Sequence, residues 1–418
     1  MTDSSPRPDG GTAAIGESAQ RLPVACLHIS SALGGTERVL LDFLARADGL
    51  GIAPLLILPK NGPLVAEAES AGVPVWIAPA PETFLEVSQR KGNALGGAAA
   101  FVAGLRTWAA EIRAALTRAA EGPGGRPRVL YTSGFKAHLA GTLLGGYRRV
   151  WHVHEFPPDG LGAAWRLVAR ALPDAVIANS EAVGHAWAKL GGPDATVVLN
   201  GVDLDRFKPA PRTYRIHDQL GLDHDARLIG MPAVFARWKG HLQVIEAFER
   251  MAGSREDVHL VLVGGPIYDT VAETGYAEEL VRRVRRSSAA IGATPVPLDG
   301  RIHFMRFDPE PWTLYPEFDV VVHFSTRPEP FGRVVVEAAA CGIPVIAADA
   351  GGPREIVTHG VTGWLTPPGD VPALASLMAR ALAEDTGPMR LAARRAAEER
   401  FDASRFAEGV AKVLRSLA

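Results

Sequence analysis

Arg327-Pro-Glu329-Pro-Phe-Gly332-Arg-Val-Val-Val-Glu337 sets two carboxylates eight residues apart around a turn and a helix start. The stretch before it, Asp319-Val-Val-Val-His323, reads as a buried strand. After it, Ala338-Ala-Ala-Cys-Gly342 closes a short helix and Val345-Ile-Ala347 opens the next strand. Open α/β sheets hold their ligands above the carboxyl ends of the strands, and Glu329 falls in that position. Glu337 lies about one turn into the helix. Gly332 lets a ligand approach the backbone closely. The N–H groups near Arg333 and Val334 are then free to hold phosphate. This suits a nucleotide-bound substrate. On chemistry alone, a solvated loop Glu329 and a surface Glu337 fit the same letters.

The pattern continues outward through Gly342-Ile-Pro344-Val-Ile, Ala350-Gly-Gly-Pro-Arg-Glu355-Ile-Val357 and Gly360-x-x-Gly363-Trp-Leu365. This ordered set resembles the retaining glycosyltransferases of family 4, over residues from about 22 to 418. The resemblance implies an α/β GT-B fold, two Rossmann-like domains facing each other across a substrate cleft. It places an acceptor-binding domain at 21–205 and a nucleotide-sugar-binding domain at 206–398. A terminal helix, 399–418, would pack back toward the first domain. By the same resemblance Glu329 meets the donor sugar and Glu337 the nucleotide ribose. Pro330, Phe331, Gly332, Arg333 and Val334 complete that donor loop. Glu355 is expected to support the loop after Gly351-Gly352 rather than to do chemistry.

Composition agrees with a large enzyme without naming one. A chain of 418 residues is long for one core, so two domains are the natural expectation. Its 44 basic and 46 acidic side chains nearly cancel, which gives no support to a dedicated nucleic-acid binder. Cys26 and Cys341, the two cysteines, read as buried thiols, and a cytoplasmic location is the simple expectation. Residues 1–20 read as a disordered tail without the pattern of a signal peptide. No run of 18 apolar residues suggests a transmembrane helix. Trp165, Arg166 and Arg170 on a first-domain helix are candidates for transient contact with an anionic membrane face. Oligomeric state is not legible.

The first domain opens with the strand Val24–Ile29, the loop Ser30-Ser-Ala-Leu-Gly34-Gly35-Thr-Glu37 and a helix from Arg38. The glycine pair matches neither the dinucleotide fingerprint nor a Walker loop. In the resembled family such a pair opens the first helix beside donor diphosphate or acceptor. Further strand-like runs at 53–58, 73–77, 128–131, 150–153 and 175–178 are short and aliphatic, as in a parallel sheet covered on both faces. The Ala/Gly-rich stretches near 92–104 and 117–128 read as helical pieces and loops. Asn200-Gly-Val-Asp203-Leu-Asp205-Arg-Phe207 marks the interdomain crossing. Asp203-Leu-Asp205 has the spelling of a metal-binding triad, but its context resembles the metal-free family's hinge.

The second domain restarts at Leu228-Ile-Gly-Met231, with a helix from about Leu242 and strands at 258–263, 302–304 and 320–322. Phe401–Leu417 reads as an amphipathic helix. Phe235-Ala-Arg237-Trp-Lys239-Gly-His241 puts two cations near a strand end, where they would steady the charge of a departing diphosphate. Lys239 matches the family's Lys-Gly segment. Val234 stands where the family carries its arginine, and Arg237 is the substitute two residues before the lysine. Gly264, ending its strand, is a further donor-side candidate. His154 resembles the family's donor-sugar contact. His152 and His154 alternate along a strand and so share a face, but no third ligand completes a zinc site.

The expectation is thus a retaining transferase moving a hexosyl group from a UDP- or GDP-sugar to an acceptor hydroxyl, with His154, Arg237, Lys239 and Glu329 around the reacting centre. No cofactor or metal is called for. The product would be α-linked, in polysaccharide, glycolipid or small-glycoside synthesis. A nucleotide-sugar epimerase on a similar scaffold, or an inactive sugar-nucleotide-binding protein, are the alternatives.

Overall fold

The computed structural model describes residues 21–86, 94–121, 125–157, 172–191, 193–253, 255–265, 275–291 and 294–418. The 1–20 tail and the Trp165, Arg166, Arg170 group lie outside them.

Seven strands form the first sheet: β1 (Leu22–His28), β2 (Ile52–Leu58), β3 (Val75–Ile77), β4 (Val129–Ser133), β5 (Arg148–Val153), β6 (Ala175–Ala178) and β7 (Ala195–Val197). Their order is β3-β2-β1-β4-β5-β6-β7, and every pairing is parallel. Helices α1 (Gly35–Ala47), α2 (Pro63–Ser70), α3 (Glu82–Glu86), α4 (Ala94–Ala120), α5 (Phe135–Thr142) and α6 (Glu181–Ala188) belong to this half. Parallel strands need crossovers and cover on both faces, which is why these strands read as apolar runs rather than alternating ones. The two Ala/Gly-rich stretches contribute to one long helix, α4, and the chain is non-helical again at 121 and 125–128, as expected for a loop. The α4 side chains Trp108, Ile112 and Leu116 are buried against the sheet at a spacing of four, the period of one helix face.

The second half begins with α7 (Arg215–Leu220) and β8 (Arg227–Pro232). Then come α8 (His241–Met251), β9 (Val258–Val263), α9 (Tyr276–Val284), an antiparallel hairpin of β10 (Ser288–Ile291) and β11 (Thr294–Pro297), β12 (Ile302–Met305) and β13 (Val320–His323). After α10 (Arg333–Ala340), β14 (Val345–Ala348), α11 (Pro353–Ile356) and β15 (Trp364–Thr366), the chain runs into α12 (Val371–Ala383), α13 (Gly387–Arg400) and α14 (Ala403–Arg415). The sheet order is β12-β9-β8-β13-β14-β15, again parallel. Two such sheets make the GT-B arrangement. The edge strands β7 and β15, three residues each, are too short to show a pattern in the sequence.

Two chain segments join the halves, and they are zipped together. Val202 N–H donates to the Phe401 carbonyl at 2.8 Å, and Ala403 N–H to the Val202 carbonyl at 3.0 Å. Beyond that point α14 returns to the first sheet. Its face of Phe406, Ala407, Val410, Ala411 and Leu414 is buried in one cluster with Phe43, Leu40 and Val24.

Candidate active site

Each sheet reverses its strand order once, between β1 and β4 in the first and between β8 and β13 in the second. A crevice opens beyond the strand ends at such a reversal. The two crevices together form a cleft of about 470 Å³. Its lining comes from the Gly34-Gly35 loop after β1, His154 after β5, Ala233 and Val234 after β8, and Glu329 to Val334 after β13.

The second half supplies a wall of paired charge. Lys239 Nζ donates to both Glu329 oxygens, at 3.0 and 2.8 Å. Ser325 Oγ donates to Glu329 Oε2 at 2.8 Å, and His323 Nε2 lies 3.2 Å from the same atom. Burial alone would raise the Glu329 carboxyl; the Lys239 ammonium and the His323 hydrogen bond outweigh it and hold the group well below the usual carboxylate range. Glu329 is therefore an anion at neutral pH. Gly332, at φ +101°, caps α10 in the left-handed region that glycine tolerates. The backbone N–H groups of Arg333 and Val334 that follow are first-turn donors without an intrahelical acceptor. They point a positive helix end at the cleft.

Glu337, one turn further, is held from two sides. Arg333 Nε donates to Oε1 at 2.7 Å, and the Tyr315 hydroxyl to Oε2 at 2.5 Å. Arg333 Nη1 also reaches Asp42 Oδ2 on α1 at 3.0 Å, so one guanidinium spans from the second half to the first. Burial would lower the Arg333 pKa, but Asp42 and Glu337 more than reverse that, and the side chain stays charged.

The first half contributes His154 to the cleft, with buried histidines packed behind it. Glu37 is 2% exposed; it accepts from the Gly34 N–H at 3.0 Å and lies 3.0 Å from His28 Nε2. It fixes the glycine loop as a capping box fixes a helix start. The rings of His152 and His154 are 3.9 Å apart, on one side of β5 as their alternation implies. His138 stacks on Trp151 and bonds Thr132 at 2.7 Å. Burial, with neighbouring histidines adding to it, pushes His138 and His154 down to about 3. His154 thus lines the cleft uncharged.

The structure brings His154, Lys239, Glu329, Gly34, Gly35, Pro330, Phe331, Gly332, Arg333, Val334 and Glu337 to this one cleft. It does not bring Arg237 there. Arg237 and Lys239 share a 3₁₀ turn, Arg237–Lys239, with three residues per turn, so residues two apart face sides about 120° apart. Arg237 turns to Glu279 at 2.6 Å and over the Tyr276 ring. Gly264 is also absent from the lining. A Cβ there would lie 2.0 Å from the Ala233 carbonyl, so this glycine serves close backbone packing. Sequence reasoning missed His323, Ser325, Tyr315, Asp42 and Arg38 among the cleft residues and their partners. His323 was visible as the last residue of a strand aimed at the site; Asp42 carried no local signal.

Comparison with known proteins follows the two halves. Residues 33–206 match the family described as Glycosyltransferase Family 4, and residues 213–400 match Glycosyl transferases group 1. The D-inositol 3-phosphate glycosyltransferase of Xylanimonas cellulosilytica is 33% identical over 240 residues, 55% of this chain and 54% of that protein. The protein of the same description from Mycolicibacterium gilvum is 32% identical over 218 residues, 51% of this chain and 45% of that one. The chain spans about half the length of these curated relatives. Among solved structures, Anabaena Alr3699/HepE in complex with UDP-glucose superposes with a TM-score of 0.77 at 27% identity, covering 95% of this chain and 100% of that one.

Proposed function

Because this chain belongs to glycosyltransferase family 4 and has its GT-B fold, we propose that it moves a hexosyl group from a UDP- or GDP-linked sugar to an acceptor hydroxyl, with retention and an α-linked product. UDP is the favoured nucleotide, since the HepE complex holds UDP-glucose. The relatives that act on D-inositol 3-phosphate support a small polyol or sugar acceptor.

The observation that carries the reading is the Lys239–Glu329 pair set beside the open N-terminus of α10. A leaving diphosphate gains negative charge as the glycosidic bond breaks. Lys239 and the Arg333 and Val334 amides meet that charge within a partly dry cleft. Glu329, kept ionised, faces the positive charge that develops at the anomeric carbon. Glu337 accepts from ribose hydroxyls, with Arg333 fixing its rotamer. His154 offers a neutral ring to the donor sugar. The acceptor oxygen bonds to the anomeric carbon on the face that the diphosphate leaves, and its proton passes to a diphosphate oxygen. Most of the gain is positioning and leaving-group stabilisation. The scheme calls for no metal ion and assigns Arg237 no step.

A panel of nucleotide sugars against a mixture of acceptors tests this, read by product mass and anomeric configuration. An α-linked, acceptor-dependent product is expected. A β-linked product from an α-linked donor overturns retention, and donor isomerisation without acceptor overturns transfer.

A further inference from the structure

The start of α6 is held by the opposite half of the molecule. Glu355 accepts from the Glu181 N–H at 2.8 Å through Oε2 and from the Ala182 N–H at 2.8 Å through Oε1. These are the first two amides of α6, donors that no residue of the helix itself can satisfy. Ser180, fully buried, caps the third, accepting from Val183 N–H at 3.1 Å. Its hydroxyl also donates to the Pro330 carbonyl at 2.6 Å. Thus a first-half helix terminus is gripped twice by the second half, once by a carboxylate and once by the residue next to Glu329. A carboxylate bonding two amides at a helix N-terminus is the strong case of such contacts, because both hydrogen bonds are charge-assisted and the helix dipole favours the anion.

The two gripping segments are themselves one piece. Gly352 N–H donates to the Glu329 carbonyl at 2.8 Å, and Glu329 and Gly351 form a parallel bridge. A Cβ on Gly351 would lie 2.1 Å from the Glu329 carbonyl, and one on Gly352 2.3 Å from the Phe331 carbonyl. Whatever moves Glu355 therefore moves the backbone of Glu329 and Phe331. On the other side, Asn179 precedes Ser180, lines the cleft and donates to the His154 carbonyl at 3.3 Å. The contact joins the two backbones that carry His154 and Glu329.

We infer that Glu355 and Ser180 form a clasp that couples closure of the cleft to the placement of Glu329, making Glu355 a positioning residue for transfer. The inference rests on the transferase reading for its kinetic part only. When the halves close, Glu355 takes up the first two amides of α6 and the Glu329 loop is set against His154. When they part, water replaces the carboxylate and the loop is held from one side alone.

The test uses the full chain carrying Glu355→Ala, Glu355→Gln or Ser180→Ala. Small-angle scattering of the unliganded protein and of its UDP complex reads closure. Steady-state kinetics with a UDP-sugar and calorimetry with UDP read the rest. Glu355→Ala is expected to enlarge the unliganded particle and to lower kcat about tenfold or more. UDP affinity should stay within about twofold. Glu355→Gln keeps one acceptor oxygen and should fall between Ala and wild type, and Ser180→Ala should show the same pattern more weakly. Wild-type scattering from Glu355→Ala overturns the clasp whatever happens to turnover. Equal losses in UDP affinity and kcat also overturn it, since they mark a general loss of structure. The scattering arm needs no substrate. If the wild-type chain transfers no sugar, the functional reading fails while the clasp is still decided.

Discussion

Glu329 and His154 face one cleft from opposite halves, yet the first is held charged and the second neutral. Glu329 sits among a lysine, a serine and a histidine that outweigh its desolvation. His154 sits among other histidines that add to it. The second half lines the cleft with fixed, paired charge; the first lines it with the neutral His154 ring, a glycine loop, Arg38 and Glu155. The two walls therefore hold their side chains by different electrostatics.

The largest effect should come from the charged wall. Lys239→Ala removes the cation that meets the leaving group and also leaves Glu329 without its main partner. Turnover should drop by about 100-fold or more, measured as initial rate at saturating donor. His154→Ala removes one neutral hydrogen bond and should cost about tenfold. Equal losses for the two would break the contrast between the walls.

Donor affinity sharpens it further. Glu337→Gln should weaken nucleotide-sugar binding about tenfold, read by calorimetry without acceptor, because a charged acceptor of ribose hydroxyls is lost. Unchanged affinity in the folded variant would remove Glu337 from the ribose. The corresponding change on the first-half wall, His154→Ala, should alter UDP affinity little.

Acid probes the desolvated histidines directly. His138 and His241 are buried, and burial pushes each down to about 3. Below their ordinary value near 6.5 the unfolded chain binds protons that the folded chain refuses, so the unfolded state gains. Stability present above about pH 6.5 is lost as pH falls toward 3, by roughly 1 kcal/mol per unit for each such group. Melting temperature should therefore fall steadily from pH 7 to pH 5. A flat profile would mean these rings are not neutral by desolvation. The smallest effect expected is that of a chelator. If Lys239 and the α10 terminus meet the diphosphate, transfer after extensive chelation and dialysis should match the untreated rate, and loss restored by a divalent ion would count against the scheme.

The charged wall was legible because its residues lie close together in sequence. Glu329, Gly332 and Glu337 fall within nine residues of chain, between a strand and a helix whose letters announce them. Lys239 is ninety positions away but sits in a short turn that follows an equally plain strand, β8. The contacts that complete the site are of another kind. Arg333 reaches Asp42, and Glu355 reaches Glu181, across 291 and 174 positions of sequence. Asp42 looks like any acid on an amphipathic helix, and only the docking of the two halves gives it a partner. Arg237 shows the opposite failure. Its letters sit beside Lys239, but the 3₁₀ turn carries its side chain toward α9. Both sheets were readable from apolar runs, whereas the three-residue strands β7 and β15 were not read from the sequence.

The return of α14 to the first sheet has a consequence for dissecting the molecule. The first half is not one contiguous stretch of gene. A fragment ending near residue 200 would leave Phe43, Leu40 and Val24 without the Phe406, Val410 and Leu414 that cover them. Such a fragment should aggregate. A fragment beginning near residue 210 and running to the terminus would carry the same helix as an unpartnered apolar face. The workable division is a transplant: 403–418 grafted behind the first half, and the second half stopped at the end of α13. Exchanging the first half between family members would have to move both pieces together, the opening two hundred residues and the last sixteen.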